Sequence, residues 1–219
     1  DVPSPHLLEK LLSFDLDQFC LEHQSDDRKP GVILLEEVFN VDAHAKIPET
    51  ISWFHGTRVL NPESFRTSGI RTLSNQLDQI WIDLFSIVVH SINQQEWETF
   101  RKVVETTHLS HSANLYRMKT RNILHWGPHA VLVRDVLVNP ERFESVDYLN
   151  TPEIVEDISL CFHERYGHDL LPAFQQQSHA CIVKFNDNTP RPDSVPIALH
   201  YLYCITQNKD LFPGCNTCF

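Results

Sequence analysis

Between residues 77 and 92 the apolar positions Leu77, Ile80, Trp81, Leu84, Phe85, Val88, Val89 and Ile92 recur at i, i+3, i+4, i+7, i+8, i+11, i+12 and i+15. That is the period of an α-helix with one apolar stripe, and such a stripe folds only against other apolar surface. Asn93 followed by Glu96 three positions on has the pattern of a capping box. A second helix carrying Trp97, Phe100, Val103 and Val104 is therefore predicted to start there, and the two helices belong to the core.

The same signals organise the rest of the chain. Ser4-Pro5 ahead of Leu7, Leu8, Leu11 and Leu12 reads as an N-cap, a first-turn proline and an apolar stripe, which predicts a helix to about residue 22. "VILLEEVF" (32–39) fits either a strand or a buried helix. "ISWFHGTRV" (51–59) is rich in β-branched and aromatic residues and reads as a strand, followed by a turn and a short helix to Gly69. Thr151-Pro152 starts a further helix that ends near Gly167. "AVLVRDVLV" (130–138), "ACIVKF" (180–185) and "IALHYLYCIT" (197–206) are predicted strands. A helical first half before a strand-rich second half predicts an α+β fold with a mostly antiparallel sheet. The division expected is a helical N-terminal extension over residues 1–50, packed on a domain over 51–219.

Composition narrows the function classes. A chain of 219 residues can bury roughly 70% of its unfolded surface without covalent staples. Its net charge of -11 removes any general attraction to phosphate backbones or anionic membranes, so no long nucleic acid and no membrane are expected as partners. No stretch approaches the ~20 apolar residues of a membrane span, and a soluble, cytosolic protein is expected, in its own cell or delivered into a host. Six cysteines are too sparse for a disulfide framework and read as mostly buried thiols. Cys215 and Cys218 have zinc-knuckle spacing but lack the second pair a zinc site wants.

Catalytic motifs are few. His163 and His168 in "CFHERYGH" are five apart, which turns them away from each other on a helix, and His125 and His129 are separated by Gly127-Pro128, so no metal is expected. There is no Gly-x-Ser-x-Gly elbow, P-loop or dinucleotide fingerprint. What remains is "FHGTR" (54–58). A glycine beside a strand histidine lets a ligand approach the backbone, whose N–H and C=O can then bind an amide while the imidazole reaches a hydroxyl. Nicotinamide carries such an amide; a strand end with a tight turn is the plainer alternative.

"FHGTRVLNPESFRTSGI" (54–70) resembles the first motif of the ADP-ribosyltransferase superfamily, in its diphtheria-toxin-like and poly(ADP-ribose)-polymerase-like branch, where a strand ends in His-Gly-Thr ahead of a short helix and a Gly-Ile pair. "THLSHSANLY" (107–116) resembles the second motif, with "HLS" similar to the RNA 2'-phosphotransferase branch and "SANLY" similar to the polymerases. The resemblance implies NAD as substrate, held by His55, Gly56 and Thr57, with Arg58 toward the pyrophosphate and Ser110 and Tyr116 lining the pocket. It places His108 at the second motif and a split antiparallel sheet beneath both. In "LHYLYC" His200 stands where the family's late-strand Glu would be, and a protonated histidine there would oppose the cationic sugar formed as the glycosidic bond breaks. Polymer synthesis is thereby disfavoured, and the resemblance then implies mono-ADP-ribosyl transfer to a protein or small-molecule acceptor, with a phosphotransferase-like reaction and NAD hydrolysis as further possibilities. The alternative is an inactive binding module of the same fold.

Overall fold

Short polar residues set the helix starts where the sequence places them. In the computed structural model, which describes residues 3–41, 49–107, 110–189 and 191–211, Ser4 Oγ accepts from the Leu7 N–H at the head of α1 (Pro5–Ser13). Asp15 Oδ1 accepts from the Gln18 N–H and starts α2 (Leu16–Glu22). The single N-terminal helix expected is thus two, because an aspartate N-cap satisfies backbone donors that a continuous helix would not expose. The ambiguous run that follows is helical, as α3 (Pro30–Ile33) and a π-helical turn over Leu34–Val38.

Contacts divide the chain into two units, one of residues 1–54, 131–146 and 184–218, the other chiefly of 55–130 and 147–183. Both strands cross that division. β1 (Ile51–Val59) and β2 (His179–Asp187) form a two-stranded antiparallel sheet. Ser52 Oγ donates to Asn186 Oδ1 and Thr50 Oγ1 to Asn188 Oδ1, which fixes the register by placing 52 opposite 186. On its other side β1 has a single bridge, where Phe54 and Val131 exchange two backbone hydrogen bonds of 2.9 Å.

In the first unit α1, α2 and α3 pack with α11 (Ser194–Thr206) around Leu11, Leu16, Ile33, Leu34 and Tyr203. The Tyr203 hydroxyl accepts from the Leu16 N–H at 3.1 Å. Gly31 makes the contact between α3 and α11 possible, since a Cβ there would stand 2.0 Å from the Pro196 carbonyl oxygen.

The second unit contains α4 (Ser64–Ser68), α5 (Leu73–Val88), α6 (Gln94–Thr106), α7 (His111–Arg121), α9 (Glu153–Tyr166) and α10 (Leu171–Gln177). Asn93 Oδ1 caps α6 through the Glu96 N–H, and Gly167 ends α9 in the left-handed conformation. The stripe of α5 buries Trp81, Leu84 and Val88 against Trp97 and Phe100 of α6, Tyr116 of α7 and Phe162 of α9. Trp81 lies edge-on to Trp97, Phe100 and Tyr116, the arrangement that ring quadrupoles favour.

Two expected strands are corrected. Residues 197–206 belong to the helix α11, whose buried Pro196, Leu199 and Tyr203 repeat at i, i+3 and i+7. Its β-branched and aromatic content suits a strand, but as a helix it packs its apolar face on α1 and α3, and this tertiary burial overrides the local propensity. In 130–138 only Val131 pairs, and Asp135–Val138 forms the short helix α8. There Val133, Val136 and Leu137 are buried at i, i+3 and i+4, and Asp135 Oδ2 accepts from the Tyr201 hydroxyl at 2.5 Å. The second half is therefore mainly helical, and the α+β class holds with a small sheet. No helix among the described residues is long and apolar enough to cross a membrane.

Candidate functional site

The His-Gly-Thr segment lies within β1, past its middle. Because Phe54 directs both backbone groups toward Val131, strand alternation directs those of Gly56 to the same edge, away from β2. The Val131 bridge is isolated, and among the described residues neither the N–H nor the C=O of Gly56 has a partner on that edge. Gly56 is buried, with His55 and Thr57 half-buried on either side.

His55 is tied to the turn Gly127–His129. His55 Nδ1 lies 2.7 Å from the His129 carbonyl oxygen, so Nδ1 carries the proton and donates. The other ring nitrogen, Nε2, is then the acceptor of a neutral imidazole. Burial pushes the His55 pKa below its usual 6.5, opposed by the hydrogen bond to the carbonyl. Gly127 adopts φ +54°, and a Cβ there would stand 2.7 Å from the His129 backbone nitrogen. The Gly-Pro pair before His129 marks the turn in the sequence, but its contact with His55 does not follow from it.

Arg58 follows directly, and its guanidinium is spent on the protein. Nε donates to Ser178 Oγ at 2.8 Å, Nη1 to the Leu149 carbonyl at 3.0 Å, and Nη2 to the carbonyls of Gln175 at 2.7 Å and Ser178 at 3.3 Å. It ties β1 to the loop before α9 and to the end of α10. Tyr116 is 1% exposed in the helical core, where its hydroxyl accepts from Trp81 Nε1 at 3.0 Å; burial pushes its pKa up to about 12. Ser110 caps α7, accepting from the Ala113 N–H. His108 lies outside the described residues, as do Cys215 and Cys218.

His200 is on α11 and belongs to the first unit, whereas His55, Arg58 and Tyr116 belong to the second. It lines an open hollow of about 540 Å³ together with Asp17, Tyr203 and Lys209. Burial first, and then the Lys209 ammonium, lower its pKa. The structure thus brings His55 to Gly56, Thr57 and the His129 carbonyl. Arg58 and Tyr116 take on packing and hydrogen-bonding work. Among the described residues no group of three or more His, Cys, Asp or Glu is placed to hold a metal ion.

Comparison of the chain with protein-family models, with curated proteins and with solved structures returns no significant match.

Proposed function

We propose that this chain is an NAD-binding protein of the ADP-ribosyltransferase type, with mono-ADP-ribosyl transfer to a protein or small-molecule acceptor as its reaction. In this reading β1 is the family's first-motif strand and β2 its pairing neighbour in the split sheet. The observation that carries it is the pairing geometry of Gly56, which turns one backbone donor and one acceptor toward an edge that Val131 leaves after a single bridge. A carboxamide needs that donor and acceptor side by side. His55 adds a neutral Nε2 acceptor suited to a ribose hydroxyl, oriented by the His129 carbonyl.

A binding module without turnover is the second reading, favoured by the commitment of Arg58 to three carbonyls and a serine hydroxyl. The test is thermal stability with and without millimolar NAD, for wild type and His55→Ala, followed by an assay for nicotinamide release. NAD at about 100 times its dissociation constant adds about 2.7 kcal/mol to the folded state. A shift in wild type that is lost in folded His55→Ala, with nicotinamide released, supports the transferase. A shift without release leaves the module, and no shift removes NAD from both readings.

A further inference from the structure

The outer edge of β2 is an open strand edge. With 52 opposite 186 and Phe54 turned away from β2, the odd-numbered residues of β2 direct their N–H and C=O groups to β1 and the even-numbered ones outward. Ala180, Ile182, Lys184 and Asn186 therefore present a row of donors and acceptors, and among the described residues none of these backbone groups has a partner on that side. No residue of the strand is fully buried. The sequence "HACIVKFND" is apolar at Ala180, Ile182, Val183 and Phe185, and contains no proline. A nine-residue edge of this kind is a template for another strand.

We propose that this edge is a self-association surface, on which β2 of a second copy pairs antiparallel about a two-fold axis at Val183. The strand is self-complementary in that register. Ala180 faces the second copy's Asn186 and Ile182 faces its Lys184, so every outward-directed residue is in a hydrogen-bonded pair and about eight backbone hydrogen bonds form. The neighbouring registers are worse. Sliding by two residues toward the C-terminus sets Lys184 directly against Lys184, a like-charge pair, and sliding the other way shortens the overlap. The strand itself, with one lysine and one aspartate, is locally neutral in a chain of net charge -11. Pairing along this edge therefore adds no net like-charge contact of its own.

The test is sedimentation of the full chain from roughly 1 to 100 µM, a range that brackets micromolar dissociation constants. Ile182→Pro deletes an outward N–H without touching the β1 ladder, and is expected to weaken the dimer at least about tenfold while circular dichroism is unchanged. Should that variant fail to fold, oxidation of Val183→Cys in a Cys181→Ser background decides instead. Residue 183 is a non-hydrogen-bonded pair at the axis, where side chains approach most closely, so a 183–183 disulfide located by mass spectrometry is expected and the Cys181→Ser parent gives none. A chain monomeric at 100 µM, or a dimer that Ile182→Pro leaves intact and that yields no 183–183 crosslink, overturns the proposal.

Discussion

Replacing Arg58 by alanine separates two roles that the same guanidinium could play. In the structure it donates to Ser178 Oγ, Leu149 O and Gln175 O at 2.7–3.0 Å, and these groups come from a loop and a helix end far away in sequence. Each such bond contributes about 1–1.5 kcal/mol net once competition from water is allowed for, so the three together come to about 3–4.5 kcal/mol. The carbonyls left behind are half-covered and regain water only in part, which keeps the loss toward the upper end. In a chain of this length each kcal/mol moves Tm by about 2–4 °C, so Arg58→Ala is expected to melt roughly 6–18 °C below wild type. Lysine keeps the charge but offers one donor centre in place of a planar fork, and Arg58→Lys recovers no more than about a third of the loss. Urea denaturation followed by tryptophan fluorescence reads both variants. An Arg58→Ala protein as stable as wild type that has lost its NAD-induced shift would refute the reasoning and return Arg58 to pyrophosphate binding.

Tyr116→Phe leaves the indole N–H of Trp81 without its buried acceptor and is expected to cost about 1–3 kcal/mol, read by urea denaturation, with the NAD response unchanged. Gly31→Ala forces a methyl against the Pro196 carbonyl at 2.0 Å, so α3 and α11 must separate; a loss above about 3 kcal/mol, or no soluble protein, is expected. Burial lowers the His55 pKa in the folded chain below its unfolded value near 6.5, so below about 6.5 the unfolded chain binds the proton first. Its contribution is full above about 6.5 and is lost as the pH falls toward the folded value, with a slope of at most about 1.4 kcal/mol per pH unit. His200 has a shift of the same sign; stability measured from pH 7.5 to 5 is expected to fall more steeply in wild type than in His55→Gln.

Much of the helical framework was legible because its signals are local. A cap needs one side chain and a donor three residues away, as at Asn93 and Ser4, and the stripe of α5 declares its own period. Strand β1 and the end of α9 at Gly167 were legible for the same reason. Misreadings fell where short apolar runs satisfy both periods. "IALHYLYCIT" alternates well enough for a strand, yet Leu199 and Tyr203 are one helical turn apart and α3 lies against that face. At the site, the His-Gly-Thr segment could be found by its chemistry, whereas the His129 carbonyl that orients His55 is 74 positions away.

The sequence by itself determined the starts of α1 and α6 and the end of α9, the apolar stripe of α5 that is core, and that a glycine and a histidine share one strand. Only the tertiary structure decided that 197–206 is helical, that Arg58 and Tyr116 serve packing and hydrogen bonding, and that Gly56 directs its backbone to the side of β1 away from β2, where it has no partner among the described residues. The physical reason is the range of the interactions. Caps and periodicity are satisfied within a few residues, but a guanidinium is committed by whichever carbonyls folding brings to it, and a strand edge is open or closed according to segments more than 70 residues distant.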